Sequence, residues 1–145
     1  MIAISLTGCS ASDETSQSAT ATEDTISCAE TDATGHDPIN IATPTKVLTE
    51  FPKQFTFITN CGNIVIDTVG EKAPFTLTSI AALAQGGYYD DSLCHRLTTQ
   101  GLFVLQCGDP TATGSGGPQF TFPDENFPVN ELNNYPAGTV AMANS

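Results

Sequence analysis

Basic side chains are few in this 145-residue chain. Lys46, Lys53, Lys72 and Arg96 stand against 16 acidic residues, for a formal net charge of −12. A surface of that sign repels phosphate, so nucleic acid is set aside as a partner. Tryptophan is absent. The glycine-rich stretch 110–118 has no lysine, whereas a phosphate-binding Walker loop ends in Gly-Lys-Ser/Thr, so it is not a phosphate loop. The apolar opening Met1 to Gly8 is too short to cross a bilayer, which leaves no transmembrane helix in prospect. A chain of this length holds one ordinary core and a tail, and not two cores.

Turn-forming residues are plentiful, with 12 glycines and 9 prolines, which favours a mostly β architecture with few helices. The acidity is uneven. Residues 1–50 carry eight acids and one lysine, for −7, and the remainder carries eight acids and three bases, for −5. Residues 10–50 are rich in Ser, Thr, Ala, Asp and Glu and bury little, so they read as a disordered acidic tether in which His36 is a solvated side chain. Ahead of it, Leu6-Thr7-Gly8-Cys9 resembles a bacterial lipobox. That resemblance implies a lipid on Cys9, a partial signal segment over 1–8, and a domain held by lipid alone at the outer face of the cytoplasmic membrane or cell envelope. A basic n-region and a full apolar h-region are not present, so the true start is expected upstream.

The domain is expected over 51–145. Phe55 to Thr59 and Ile64 to Asp67 flank Asn60-Cys61-Gly62-Asn63 and predict a hairpin. Leu77, Ile80, Ala81, Leu83 and Ala84 follow a helical spacing, with Pro74 in the first turn and Gly86-Gly87 closing it. Strands are predicted over Leu93 to Leu97, Leu102 to Gln106, Phe120 to Phe122 and Gly138 to Met142, which suggests a barrel or sandwich.

Arg96 is the only arginine, and it lies beside His95 in an apolar strand. One reading is a structural arginine paired with a carboxylate such as Asp109. The other is a fixed cation offered to a polar substrate group, because a guanidinium stays protonated and donates in a planar fork. Ordered pieces then run along the domain: Gly87-Tyr88-Tyr89-Asp90, Cys94-His95-Arg96-Leu97, Phe103 to Pro110, Gly114 to Pro118, Phe122 to Glu125, and Met142-Ala143-Asn144. In that order they resemble the cyclophilin-type peptidyl-prolyl cis-trans isomerases. The turn between Arg96 and Phe103 is two residues longer than usual, as in bacterial members.

The resemblance implies a mainly β fold, a closed eight-stranded antiparallel β-barrel with capping helices, here missing its last strands. It implies rotation of X-Pro amide bonds in peptides and unfolded chains, assisting the folding of secreted or envelope proteins, with no cofactor, no metal and a monomer. Residue by residue, Arg96, Phe103 and Gln106 would be catalytic. His95, Val104, Gly114, Ala143 and Asn144 would bind substrate. Phe103 is alternatively a plain core aromatic and His95 a structural histidine. A non-catalytic proline-binding module, or an inactive fragment, is the alternative function.

Five cysteines, Cys9, Cys28, Cys61, Cys94 and Cys107, leave one over after pairing, which lipidation of Cys9 explains. Cys94, His95 and Cys107 lack zinc-ligand spacing. In an exported chain the better reading is a Cys94–Cys107 disulfide, with Cys28–Cys61 as a second pair and reduced thiols as the alternative.

Overall fold

Phenylalanines alternating with threonine before a tight turn, and a run of β-branched residues after it, form the first hairpin of the computed structural model, which describes residues 25–132 and 134–143. Strand β1 (Gln54–Thr59) pairs antiparallel with β2 (Gly62–Asp67), Thr59 opposite Gly62, so Asn60 and Cys61 make a two-residue turn. Gly62 takes φ 113°, a conformation that disfavours any residue with a Cβ.

Helix α1 (Pro74–Gln85) follows as its spacing predicts. Proline at the first turn gives up an amide that has no helical partner anyway. Ala73 supplies no side-chain cap; the orphan amides of Phe75 and Thr76 donate to the Glu125 carboxylate at 3.0 and 2.8 Å. At the other end Tyr88 N donates to Leu83 O and Gly87 N to Ala84 O, with Gly87 at φ 74°. This is a Schellman ending, and its glycine is what the left-handed position demands.

The second hairpin joins β3 (Arg96–Gln100) to β4 (Leu102–Gln106) through a turn at Gly101, in the register Arg96↔Gln106, Leu97↔Leu105, Thr98↔Val104, Thr99↔Phe103 and Gln100↔Leu102. The strand expected over Leu93 to Leu97 thus begins three residues later, because the ladder starts at the Arg96↔Gln106 pair. The expected strands at 120–122 and 138–142 are not formed. A strand exists only where a neighbour takes its backbone hydrogen bonds, and neither segment has one among the described residues. Thr139 instead donates through both its amide and its hydroxyl to Pro136 O, tying off a turn.

The secondary structure is mainly β, with one helix among the described residues. Among the described residues the sheets are two separate antiparallel hairpins and no closed barrel is formed. Full burial is concentrated in α1 and the loops after it, at Leu77, Thr78, Ser79, Ala81, Leu83, Tyr88, Asp109 and Pro110. Neither hairpin lies against the helix.

Irregular chain does that work. Residues 25–50 contain no helix or strand, yet they are not the free tether the composition suggests. Cys28 is bonded to Cys61, Ala29 N donates to Asn60 O at 2.8 Å, and Asn60 Nδ2 donates back to Ala29 O at 2.7 Å. His36 N reaches Pro110 O at 2.8 Å, Ile41 lies against Gly86, and Leu48 N donates to Thr78 Oγ1 at 3.1 Å. The His36 ring, read as solvated, is half-buried between Asp37 O and Asp90 O, at 2.9 and 3.3 Å. Few apolar groups are needed when a covalent bond and backbone pairs hold the segment. Among the described residues no helix is long and apolar enough to cross a membrane.

Candidate active site

Antiparallel register decides which residues share a face, since directly opposed residues project together and neighbours alternate. Arg96, Thr98, Val104 and Gln106 therefore share one face of the β3–β4 hairpin. Arg96 Nη1 donates to Gln106 Oε1 at 3.5 Å, a long bond between two residues opposed at the last ladder pair. The Val104 amide donates to Thr98 Oγ1 at 3.1 Å, which fixes the threonine on that face. Arg96 is exposed, while Val104 and Gln106 are half-buried.

Phe103 departs from the expected grouping. It is opposed to Thr99 and alternates with Val104, so it belongs to the other face with Leu97 and Leu105, and it is 77% exposed. Its reading as a plain core aromatic is equally unsupported at that exposure.

His95 is half-buried beside the strand start, with both ring nitrogens shielded from solvent and without a partner among the described residues. Its Cδ2 lies 3.4 Å from the place where Gly114 would carry a Cβ, so the structure brings His95 and Gly114 together. Gly114 has φ 82°. Ala143 is exposed. Cys9 and Asn144 lie outside the described residues.

The loop that carries Gly114 is built on Asp109, which composition pointed to only as a possible partner of Arg96. Asp109 is 3% exposed and turns to its own loop instead. Oδ1 accepts from the Thr111 amide and hydroxyl at 2.8 and 2.7 Å. Oδ2 accepts from the amides of Thr113, Gly114 and Gly116 at 3.1, 2.7 and 3.1 Å, and from the Thr113 hydroxyl at 3.3 Å. Burial alone would raise the carboxyl pKa; the donors from Thr111, Gly116 and Gly114 outweigh it and hold the group ionised well below the usual carboxylate range. The sequence did hold a signal for this, an Asp followed closely by Thr111, Thr113, Gly114 and Gly116, a turn-forming composition that favours side-chain capture of following amides. Glu125 was also missed, because its partners Phe75 and Thr76 lie about fifty residues away.

Both cysteine pairs are disulfides, Cys28–Cys61 and Cys94–Cys107. Among the described residues no group of three His, Cys, Asp or Glu side chains converges as metal ligands do.

Residues 54–145 match the family described as cyclophilin type peptidyl-prolyl cis-trans isomerase. The chain belongs to that family. It is similar to a protein named probable peptidyl-prolyl cis-trans isomerase B of Mycobacterium tuberculosis, 41% identical over 120 residues, which cover 74% of this chain and 39% of the relative. A protein of the same name in Mycobacterium leprae is 42% identical over 97 residues, covering 60% of this chain and 33% of the relative. Peptidyl-prolyl cis-trans isomerase-like 1 of Aspergillus fumigatus is 40% identical over 92 residues, covering 61% and 55%. This cyclophilin-type chain thus spans between a third and about half of the length of these relatives. No solved structure matches it significantly.

Proposed function

We propose that the chain catalyses cis/trans rotation about X-Pro amide bonds in peptides and unfolded chains. Partial double-bond character makes the uncatalysed rotation take tens to hundreds of seconds or more. Nothing needs to be attacked covalently. In the twisted state the prolyl nitrogen is no longer conjugated and accepts a hydrogen bond, so a donor placed there favours that state over either planar one. The observation that carries the reading is Arg96, an exposed guanidinium held beside Gln106 at the end of a hairpin in a cyclophilin-type domain. Arg96 donates to the twisted amide and Gln106 orients the arginine. Val104, on the same face, meets the proline ring, and His95 with Gly114 borders the site.

For the fold we propose the closed eight-stranded barrel that the family resemblance implies. Supporting it are the apolar side chains the two hairpins leave exposed, among them Ile58, Val65, Leu97 and Leu105. For location we propose an exported lipoprotein anchored through Cys9 and assisting the folding of secreted or envelope proteins. Its support is the lipobox-like Leu6 to Cys9 and the two disulfides, which persist in oxidising compartments.

A second reading, a domain that binds proline-containing segments without accelerating rotation, is favoured by one observation. Phe103, expected in the proline pocket, faces away from Arg96. Proline-limited refolding of a substrate protein, followed with the wild-type chain and with Arg96→Ala, separates the two. Acceleration by wild type that Arg96→Ala loses supports catalysis. Equal rates for both proteins remove the catalytic assignment, and peptide binding without acceleration selects the second reading.

A further inference from the structure

The 109–116 loop brings its amides to Asp109, but a carboxylate only accepts, so the loop's carbonyls must find donors elsewhere. Pro110 is fully buried, where an unmet carbonyl is costly. Its donor comes from the amino-terminal segment, the His36 amide at 2.8 Å. One residue earlier, Gly35 passes so close that a Cβ there would lie 2.5 Å from Thr111 O and 3.3 Å from the Ala112 Cβ. No left-handed backbone calls for glycine at this position; the lack of room does.

The loop needs holding. Ala112 has φ 57°, a left-handed conformation that a residue with a Cβ keeps only where its surroundings impose it. Asp109 gathers the amides around it, and Gly35 with His36 closes on the Pro110 and Thr111 carbonyls. The same loop sets Gly114 against His95 at the border of the site.

The segment that does this is itself fixed at both ends. The Cys28–Cys61 disulfide fastens it before Gly35, and Leu48 N donates to Thr78 Oγ1 after it. In between, the His36 ring lies within hydrogen-bonding distance of Asp37 O and Asp90 O. A strap anchored at both ends can bear on a loop, whereas a free tail cannot. It precedes residues 54–145, the part of the chain that carries the family pattern.

We propose that Gly35 and His36 are positioning residues, a strap that clamps the 109–116 loop and so holds the Gly114 border of the site against a bound peptide. For substrate this rests on the isomerase reading above. Arg96 and Gln106 stand on the β3–β4 hairpin and not on this loop. A border that meets the peptide alike in its planar and twisted states contributes to binding only, so loosening the strap raises KM and leaves kcat alone.

The test uses the 145-residue protein and three single variants. Gly35→Ala forces the strap and the Thr111 carbonyl apart, and His36→Ala removes the ring that ties the strap to Asp90. Ile41→Ala loosens the same segment where it lies against Gly86, at the end of α1 and not at the loop. In the first two, KM for a proline-containing peptide rises about fivefold with kcat unchanged, the size expected of a residue acting through its neighbours. Neither constant moves in Ile41→Ala. Unchanged KM in folded Gly35→Ala overturns the proposal, as does an equal rise in Ile41→Ala, which would mark general loosening. Should Gly35→Ala not fold, His36→Ala decides, supporting the proposal by a raised KM and overturning it by an unchanged one. If the wild-type chain shows no isomerase activity, the functional reading fails by itself. Hydrogen exchange of the Gly114 amide, which donates to Asp109 Oδ2 at 2.7 Å, still decides the clamp. Faster exchange in Gly35→Ala than in wild type and Ile41→Ala supports it, and equal rates in all three overturn it.

Discussion

Asp109 and Gly116 approach so closely that no side chain fits between them. The Gly116 amide donates to Asp109 Oδ2 at 3.1 Å, and a Cβ on Gly116 would overlap the other carboxylate oxygen. One buried charge thereby sets the path of the loop that places Gly114 against His95.

Asp109→Asn replaces an acceptor with a donor facing other donors, and is expected to cost about 3 kcal/mol in urea unfolding at neutral pH. The pH dependence follows from the direction of the shift. The folded-state pKa lies below the ordinary 3.8, so the stability Asp109 contributes is complete above that value and is lost as pH falls through the lower, folded-state one. The wild-type advantage over the Asn variant therefore persists down to about pH 4 and shrinks only below it. Gly116→Ala should disturb the same loop by steric overlap, with no pH dependence of its own.

Glu125→Gln tests the remote cap of α1. Burial would raise the Glu125 pKa, but the amides of Thr76 and Phe75 and the Thr76 hydroxyl lower it below the ordinary 4.5. Its contribution is present above that value and disappears as pH falls through the depressed one. A loss of about 1 kcal/mol is expected at pH 7, with the difference from wild type shrinking as pH falls below 4.5, read as urea midpoints.

Removing the Cys28–Cys61 disulfide by paired Ala substitution opens a loop with a sequence separation of 33 and is expected to cost about 3–4 kcal/mol. The local consequence is more specific. Lys46 lies in the segment that the disulfide fastens, so trypsin should cut after it faster in the variant, while the wild-type chain resists.

Tyr88 is fully buried, yet its hydroxyl has no hydrogen-bond partner among the described residues. Burial, and then the nearby Asp109 charge, raise its pKa, so the ring stays neutral. Tyr88→Phe removes a polar group left without a partner and keeps the ring, including its edge-on contact with Tyr89 at 5.3 Å. Stability should be unchanged or higher by up to about 1 kcal/mol in thermal unfolding. A loss of more than that would show a partner for the hydroxyl.

Local features were legible in the sequence because they are local. Pro74 and Gly87 bound α1 through backbone conformation alone, and Asn60 with Gly62 turns the first hairpin, so no distant residue is needed to place them. The Cys94-His95-Arg96 and Phe103 to Asp109 stretches identified the family for a similar reason, being contiguous chemistry. Tertiary structure alone decided what depends on partners far along the chain. It took the register of β3 against β4 to put Val104 with Arg96 and Phe103 opposite, because one residue of offset exchanges the faces of a strand. It took folding to turn Asp109 from a possible arginine partner into the anchor of the 111–116 loop, and Glu125 into the cap of a helix fifty residues earlier. The segment 25–50 shows the same limit most plainly. Its composition lacks the apolar groups that order a chain, and what orders it is a disulfide and backbone hydrogen bonds to residues that only the fold brings near.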